Sequence, residues 1–331
     1  MQGNSIKPMT HITLPTDEAR PLSFYLAMEE YVARCMTVPD CFMMWQVKPS
    51  VIFGRNQLIE NEVNLNFCRS HDISIYRRKS GGGCVYADMS NIMFSYITSE
   101  EQVGFTFNRY IMVIVNMLHR MGIDASASGR NDVMIGDRKV SGNAFYKIPG
   151  RSIVHGTMLY DTNLINMVGS ITPSGTKLLS KGILSVRQRI ALLKDYTDLS
   201  LDEFKAFALK TICDEEQVLT EKDIKCIKEI EKEYDSDVFI FGKNPRYTLV
   251  KQRRIEGVGE LEVRLELKNG IIKDVNLMGD YFPIGDVDGQ LLQKLRGVPL
   301  EHCALSRALP YRIDDVIRNL VKEDFISLLI E

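Results

Sequence analysis

The run Arg77-Arg78-Lys79-Ser80-Gly81-Gly82-Gly83 restricts the local fold more than any other part of this chain. Apolar, β-prone residues flank it at 73–76 and 84–86, so the pattern predicts a strand, a tight turn and a second strand. Consecutive glycines can adopt positive φ and expose bare N–H groups. Such a nest of amides beside fixed positive charge suits a phosphate or a carboxylate. Taken alone, the run is also explained by a hairpin turn with a solvated basic flank.

Composition indicates a globular protein without a whole-molecule attraction to anionic partners. The chain has 331 residues, 45% hydrophobic and 25% charged, and a net charge of −2, which predicts no nucleic-acid or membrane partner. The first twenty residues do not resemble a secretory signal. The seven cysteines include no CxxC pair, which favours reduced thiols in the cytoplasm over a disulfide framework. The five histidines lack metal-ligand spacing, so a transition-metal site is not expected.

Hydrophobic periodicity and turn residues predict the order of elements in the first two thirds of the chain. We expect an amphipathic helix from Pro21, neighbouring strands at 42–47 and 50–54, and a short helix capped by Asn64. Further on we expect a strand at 91–97, a helix over 105–121 ending at Gly122, a hairpin of 133–135 with 140–146, a strand over 152–160, and helices at 163–168 and 201–212. The segment 172–189 is rich in Pro, Ser, Gly and Lys and is expected to be a long surface loop.

The last third of the chain predicts a separate small unit. A charge-laced helix over 221–234 is interrupted near Pro245, which we take as the boundary between residues 1–245 and 246–331. Beyond it, strict alternation over 261–267 and the Asn269-Gly270 pair predict a hairpin, and 291–295 is a further helix candidate. Apolar residues at helical spacing from 313 to 329 predict helix at the end. The expected fold class is α+β, with a large mixed-sheet domain and a small α+β domain.

Three further stretches accompany the glycine run in order. They are Ser128-Gly129-Arg130-Asn131-Asp132 continuing to Asp137-Arg138-Lys139-Val140-Ser141-Gly142-Asn143-Ala144, then His155-Gly156-Thr157-Met158-Leu159, then Lys181-Gly182-Ile183-Leu184-Ser185-Val186-Arg187. Together the four stretches resemble the two-domain lipoate–protein ligases over roughly the first 190 residues. One departure is visible, because Ala87-Asp88 stands where that family usually has His-Asp.

The resemblance implies a large catalytic domain of the biotin/lipoate ligase type with a small C-terminal accessory domain. It also implies that lipoate and ATP, with Mg²⁺, give lipoyl-adenylate and pyrophosphate. The lipoyl group then passes to a lysine of an acceptor protein, either a lipoyl domain of a 2-oxoacid dehydrogenase or the H protein of glycine cleavage. Little is asked of an enzyme nucleophile, since the substrate carboxylate attacks the α-phosphorus and the protein aligns groups and neutralises charge.

The same resemblance implies the roles of individual residues. Lys139 corresponds to the catalytic lysine that contacts the α-phosphate and the acyl carbonyl oxygen. The implied ATP-binding set is Arg78, Gly83, Cys84, Val85, Tyr86, Asn131, Asp132 and Lys139, with Asp132 as the carboxylate for Mg²⁺. The implied lipoate-binding set is Gly82, Lys139 and His155, and Lys181, Ser185 and Arg187 are expected to close over the adenylate as a lid.

Three other functions remain open from the sequence. An octanoyl- or lipoyl-amidotransferase would need an activated cysteine to hold a thioester, and Cys84 is the one cysteine beside the glycine run. Biotin–protein ligase is a relative with a different glycine signature. A non-catalytic ligand-binding homologue is disfavoured because Arg78 and Lys139 are both present.

Overall fold

The computed structural model describes residues 9–57, 59–99, 102–128, 131–171, 179–241, 249–268 and 270–330. The strands are β1 (Thr10–Thr13), β2 (Asp40–Trp45), β3 (Ser50–Phe53), β4 (Ser74–Arg77), β5 (Val85–Ala87), β6 (Ile92–Thr98), β7 (Ala125–Ala127), β8 (Asp132–Ile135), β9 (Arg138–Ile148), β10 (Arg151–Met158), β11 (Glu215–Val218), β12 (Leu249–Ile255), β13 (Gly259–Lys268) and β14 (Ile271–Gly279).

The helices are α1 (Leu22–Cys35), α2 (Ile59–Glu62), α3 (Leu65–Ser70), α4 (Val103–Arg120), α5 (Leu164–Ser170), α6 (Leu179–Arg189), α7 (Leu201–Ile212), α8 (Glu221–Tyr234), α9 (Asp237–Ile240), α10 (Gln293–Leu295), α11 (His302–Ala308) and α12 (Lys322–Ile330). A 3₁₀ turn spans Leu193–Asp195 and a π-helical turn, Asp288–Leu292, precedes α10. Within the described residues, no helix is long and apolar enough to cross a membrane.

A mixed eight-stranded sheet forms the centre of the large domain, in the order β11-β1-β2-β6-β10-β9-β8-β7. Its middle strands are buried on both faces, and α1 and α8 pack on one side while α4 and α7 pack on the other. Side-chain caps fix several helix starts: Asn64 accepts from the Phe67 amide, and Ser200 with Glu203 forms a capping box for α7. The predicted β8–β9 hairpin is confirmed, with Gly136 at φ +61° in its turn.

The predicted hairpin around the glycine run is wrong. Strands β4 and β5 do not pair with each other, because both pair with β3, β4 in parallel and β5 antiparallel, in a separate three-stranded sheet. The glycine run therefore crosses from one side of β3 to the other, past the end of that strand. The prediction that β2 and β3 are neighbours is wrong for the same reason, since β3 belongs to this small sheet.

Two other predicted elements are corrected. The segment 172–189 was expected to be a loop, yet Leu179–Arg189 forms α6, and 172–178 lies outside the described residues. At the C-terminus, helix begins only at Lys322, while 311–321 forms isolated turns rather than a continuous helix, and apolar residues of these turns, Ile313 among them, are buried. The spacing of apolar residues indicates only which residues are buried, and in this segment the buried residues lie in turns rather than in a helix.

The C-terminal part of the chain has its own core. Strands β12, β13 and β14 form an antiparallel sheet whose inner face packs on α10, α11 and α12. The segment that carries the boundary expected near Pro245, residues 242–248, lies outside the described part of the chain. Residues 246–331 as a separate accessory domain thus stay a proposal, supported by this independent core.

One segment of the C-terminal unit packs against the glycine run. Phe282 is 3% exposed, joins the core of the large domain, and stacks on Phe145 at 6.2 Å between ring centroids. The Gly82 amide donates to the Tyr281 carbonyl at 3.2 Å, and the Gly279 amide donates to the Asn56 carbonyl at 2.8 Å. The glycine run therefore lies between the two units.

We expect Phe282→Ala to weaken the attachment of the C-terminal unit. Truncating a buried phenylalanine removes its packing and leaves a cavity, at a cost of about 3–5 kcal/mol. Since each unit has its own core, calorimetry should then resolve two unfolding transitions where the wild type gives one. Tyr311→Ala, at a side chain 91% exposed in the same unit, is the control and should leave the trace unchanged. A single unshifted transition in Phe282→Ala would contradict the role of this contact.

Candidate active site

A cavity lies between the glycine run, α1 and the β9–β10 part of the large sheet. Its lining combines a group of apolar side chains, called the apolar end below, with the glycine run and the cations Arg78 and Lys139, called the anion-binding end. Its lining residues are Leu22, Leu26, Trp45, Ile52, Arg78, Gly82, Gly83, Cys84, Val85, Met93, Asn131, Lys139, Gly142, Asn143, Ala144, His155, Gly156 and Thr157. Such a cavity fits a ligand with an apolar tail and an anionic head.

Arg78 is buried beneath the glycine run, with 5% of its surface exposed. Its Nη2 donates to the carbonyls of Gly81 and Gly83, both at 2.7 Å, and its Nη1 donates to the Ile52 carbonyl at 3.0 Å. Burial lowers the pKa of this guanidinium to about 10, which remains charged at neutral pH. In a trans peptide the C=O and the next N–H point in opposite directions. Carbonyls drawn towards Arg78 therefore turn the amides of Gly82 and Cys84 away from it.

The glycines of this run are required for different reasons. Gly82 has φ +85°, and a Cβ there would lie 3.1 Å from the Phe282 ring. Gly81 has no room for a side chain because Tyr281 and Pro283 cover it. The expectation that the consecutive glycines adopt positive φ is wrong for Gly83, whose φ is not left-handed and where a Cβ would meet only Asp280, at 3.9 Å. Its remaining reason for being glycine is the approach of a ligand from the cavity side.

Lys139, on β9, lines the cavity. Its Nζ is 2.9 Å from Asp132 Oδ1 on the paired strand β8, and the two side chains are 38% and 26% exposed. The lysine side chain crosses the strand over Gly142, where a Cβ would come within 2.6 Å of Nζ. The Ala191 amide, just beyond the end of α6, donates to the Lys139 carbonyl at 2.8 Å. The ammonium therefore reaches the cavity while it is paired with Asp132.

Two asparagines shape the wall beside Lys139. Asn131 Nδ2 donates to the Asn143 carbonyl at 2.7 Å, and Asn143 Nδ2 donates to the Asn131 carbonyl at 2.9 Å. The Asn143 side chain occupies the space above Gly156, which leaves no room for a side chain there. This reciprocal pairing fixes the backbone that leads into β8 and so the position of Asp132.

His155 is buried, 6% exposed, and lines the cavity. Its Nε2 lies 2.7 Å from Ser80 Oγ, and its Nδ1 lies 2.8 Å from Glu29 Oε2 on α1. The neighbouring Glu30 accepts from Lys79 Nζ at 2.8 Å. Sequence reasoning missed both glutamates, although two acidic residues on the apolar face of a helix are a signal of buried partners.

The Cys84 thiol is not activated. Burial raises its pKa far above the ordinary value, and the carboxylate of Glu62 adds to the effect. A nucleophilic cysteine needs a lowered pKa and a partner base. Glu62 itself has its pKa raised to about 7, chiefly by burial and then by Asp280 of the C-terminal unit.

Only some of the other predicted site residues lie at the cavity. Val85 lines the cavity, whereas the Tyr86 side chain is 1% exposed and belongs to the core under β3, outside the lining. Arg187 is exposed on α6, and the side chains of Lys181 and Ser185 lie outside the described residues. Asp88, in the departing Ala87-Asp88 pair, accepts from the amides of Ser90 and Asn163 at 2.9 and 3.1 Å, which is a structural role.

The carboxylates near Lys139 fit Mg²⁺ only as a supplement to ligands from a bound nucleotide. Among the described residues, no group of three His, Cys, Asp or Glu side chains could hold a metal ion by themselves. Asp132 is a single carboxylate 2.9 Å from Lys139 Nζ, which lines the cavity. It fits a magnesium ion that takes most of its ligands from phosphate oxygens and water.

Comparisons with known proteins agree with this architecture. Residues 21–213 match the family model of the lipoyl protein ligase A/B catalytic domain, and residues 244–329 match that of the bacterial lipoate protein ligase C-terminus. Lipoate-protein ligase LplJ of Bacillus subtilis is 33% identical over 92% of this chain and 95% of its own length. Lipoate–protein ligase 1 of Staphylococcus aureus is 35% identical over 79% of this chain and 82% of its own.

Solved structures show the same fold. LipL1 of P. falciparum, crystallised with lipoate, superposes with a TM-score of 0.75 at 19% identity, over 97% of this chain and 98% of that one. The bipartite lipoate protein ligase of Thermoplasma acidophilum, described with its E2 lipoyl domain, has a TM-score of 0.65 at 26% identity, over 73% of this chain and 99% of its own. The large mixed-sheet domain with a C-terminal accessory domain is therefore confirmed as the fold class.

We expect Gly82→Ala and Gly83→Ala to differ in stability. An alanine at Gly82 is held in the left-handed region and presses on Phe282, which should lower the free energy of unfolding by about 1–3 kcal/mol. An alanine at Gly83 meets neither penalty and should change it by less than about 0.5 kcal/mol. Denaturant unfolding of the two variants measures this directly. Equal losses would show that the conformation of the run is not the one described.

Proposed function

The chain belongs to the lipoate–protein ligase family, and we propose that it activates lipoate with ATP to lipoyl-adenylate and transfers the lipoyl group to a lysine of an acceptor protein. The relatives of this chain are lipoate–protein ligases, and the chain covers most of their length. The observation that carries the proposal is that Lys139, Arg78 and the glycine run line the same cavity as a group of apolar side chains, with Asp132 paired to Lys139 at 2.9 Å. That arrangement suits a carboxylate on an aliphatic tail beside a nucleotide phosphate.

The first half-reaction joins the lipoate carboxylate to the α-phosphorus with release of pyrophosphate. In our proposal the Lys139 ammonium leaves Asp132 for the α-phosphate and the carboxylate oxygen, where negative charge develops. The Cys84 amide, turned away from Arg78, faces the phosphates in this proposal, whereas the Gly82 amide is held by the Tyr281 carbonyl, and Arg78 acts by holding the run in place. Asp132, once released by Lys139, would be the protein ligand for Mg²⁺, which would supply charge neutralisation at the phosphates.

The lipoate tail occupies the apolar end in this proposal, with Gly82 and His155 at the transition to the anion-binding end. Helix α6 carries Lys181, Ser185 and Arg187 and ends beside Lys139, through the bond from the Ala191 amide to the Lys139 carbonyl. This proximity supports the lid hypothesis for α6, since an acyl-adenylate survives only where water is excluded. We place the reaction in the cytoplasm, where free thiols such as the seven cysteines of this chain persist.

The proposed acceptors are lipoyl domains of 2-oxoacid dehydrogenases and the H protein of glycine cleavage. The Thermoplasma relative described with an E2 lipoyl domain supports this class. Incubation of the protein with ATP, Mg²⁺, lipoate and an isolated lipoyl domain, followed by mass spectrometry of the acceptor, tests the whole proposal. A mass increase of one lipoyl group that requires ATP supports it. Pyrophosphate release without acceptor modification would limit the protein to the first half-reaction.

We expect Lys139→Ala to lose most adenylate formation while keeping the fold. Removing one preorganised charge contact to a developing anion typically costs ~10²–10³ in rate. The half-exposed ion pair with Asp132 contributes little to stability, so the melting temperature should stay close to that of the wild type. Lys147→Ala, an exposed lysine on the same strand, is the matched control. Pyrophosphate release by Lys139→Ala near the wild-type rate would exclude its proposed role.

The amidotransferase alternative makes the opposite prediction for Cys84. Since burial holds that thiol protonated, we expect Cys84→Ser to retain ATP-dependent transfer, and we expect no thioester on the wild type after incubation with an acyl donor. Acid-quenched samples analysed by intact-mass spectrometry measure the adduct. A trapped acyl-cysteine, lost in Cys84→Ser together with ATP-independent transfer, would favour the alternative. The third possibility, a non-catalytic binding protein, would release no pyrophosphate.

A further inference from the structure

A chain of buried hydrogen bonds starts at the apolar end of the cavity. Trp45 Nε1 donates to Ser95 Oγ at 2.9 Å, and Ser95 Oγ donates to Glu29 Oε1 at 2.5 Å. Ser95 and Glu29 are both 0% exposed, and Trp45 is 5% exposed. This half of the hydrogen-bond chain therefore ends at the Glu29 carboxylate, which has no access to water.

The other half starts beneath the glycine run. Arg78 Nε donates to Ser80 Oγ at 2.9 Å, Ser80 Oγ lies 2.7 Å from His155 Nε2, and His155 Nδ1 lies 2.8 Å from Glu29 Oε2. Ser80 is 0% exposed. The two halves meet at Glu29, so one unbroken chain joins the guanidinium under the anion-binding run to the indole at the apolar end.

The direction of every bond in this chain is fixed by its ends. Arginine can only donate, and an ionised carboxylate can only accept. Ser80 therefore accepts from Arg78 and donates to His155 Nε2, and His155 donates from Nδ1 to Glu29. A doubly protonated His155 would donate to Ser80 as well and would leave the buried Ser80 hydroxyl proton without an acceptor, which is costly. The arrangement requires a neutral His155 with its proton on Nδ1.

The order Ser80, His155, Glu29 is that of a nucleophilic triad, yet it does not act as one. The Ser80 hydroxyl is fully buried and does not line the cavity, so no substrate carbonyl can reach it. Its oxygen also accepts from Arg78, which lowers its nucleophilicity. The chain instead holds the orientation of groups that do line the cavity, namely His155, Trp45 and, through Arg78, the glycine run.

We propose that Glu29 is a positioning residue whose carboxylate, as the common acceptor of both halves, couples nucleotide binding at the glycine run to lipoate binding around Trp45. This rests on the proposed function for the identity of the two ligands. A ligand that orders the run fixes Arg78 and Ser80, and through His155 and Glu29 it fixes Ser95 and the indole. The second ligand then meets a side chain that is already oriented, and by linkage the same coupling operates in the reverse direction.

The chain itself is tested without any ligand. ¹⁵N spectra of the histidine rings, with His155 assigned by comparison with His155→Gln, should show a neutral ring protonated on Nδ1 at neutral pH. The single tryptophan gives one indole N–H signal, which reports on the other half of the chain. That signal should move in Ser95→Ala and in Glu29→Gln. A His155 ring that is protonated on Nε2, or on both nitrogens, would overturn the proposed chain.

The coupling is tested by calorimetric titration of lipoate with and without α,β-methylene-ATP, an analogue that cannot be cleaved at the bond that breaks. In the wild type we expect the analogue to tighten lipoate binding roughly 5-fold or more, and to shift the indole signal by itself. In Glu29→Gln one of the two acceptor oxygens becomes an amide nitrogen, which cannot accept. His155 Nδ1, which lies 2.8 Å from Oε2 and 3.1 Å from Oε1, must then share the remaining oxygen with the Ser95 hydroxyl, so the link between the two halves is weakened. We expect the coupling and the analogue-induced indole shift to fall markedly there.

Asp40→Asn is the matched control. Asp40 is also a buried carboxylate on the large sheet, 2% exposed, and it accepts from the Thr98 hydroxyl at 2.5 Å, but it does not line the cavity. A merely structural Glu29 would make the two variants alike, with lower melting temperatures and intact coupling. Coupling that persists in Glu29→Gln, or independent binding in the wild type, overturns the proposal. A wild type that binds neither ligand would overturn the proposed function itself. The ligand-free spectra would still test the hydrogen-bond chain, because they do not depend on ligand binding.

Discussion

The burial of the Arg78 guanidinium is the constraint on which the rest of the site depends. A charge taken out of water is tolerated only when hydrogen bonds replace its hydration. Here those bonds come from the carbonyls of Ile52, Gly81 and Gly83 and from the Ser80 hydroxyl. Satisfying the cation therefore dictates the path of the run, and it turns the amides on the opposite side of those peptides outward. The loop is shaped from beneath by a side chain rather than by pairing with a neighbouring strand.

This explains why the run could be recognised from sequence while its topology could not. The glycines and cations indicate an anion-binding turn by their chemistry, which is local. Whether β4 and β5 pair with each other or both with β3 depends on which strand fills the space between them, and this is decided by long-range packing. Helices α7 and α8 were predicted well because capping residues and apolar spacing lie within the helices themselves. The turns at 311–321 were predicted as helix because burial, not helix, produced their apolar spacing.

The candidate site was predicted to a similar depth. Residues that carry a family motif, such as Lys139, Asn131 and His155, are brought together at one cavity. The residues that hold them give no local sequence signal of their role. Glu29 and Glu30 lie in the middle of α1, and their partners His155 and Lys79 are 126 and 49 positions away in sequence, respectively. A buried carboxylate can be suspected from an apolar helix, but its partner follows only from the assembled sheet. The prediction that Tyr86 binds ATP meets the opposite problem. Tyr86 belongs to the motif, but its side chain packs in the core and only its backbone is close to the glycine run.

The two principal cations of the site differ in a way that divides their work. Arg78 is buried, and its charge serves to fix the backbone, so moving it would leave several carbonyls without a partner. Lys139 is 38% exposed and is held by a single carboxylate at a surface where an ion pair contributes only about 0–1 kcal/mol. In the proposed mechanism, exchanging Asp132 for a phosphate oxygen would therefore cost Lys139 little, and its flexible stem would let the ammonium follow charge from the first half-reaction to the second. The group that must stay is held by burial, and the group that must move is held by an interaction weak enough to exchange.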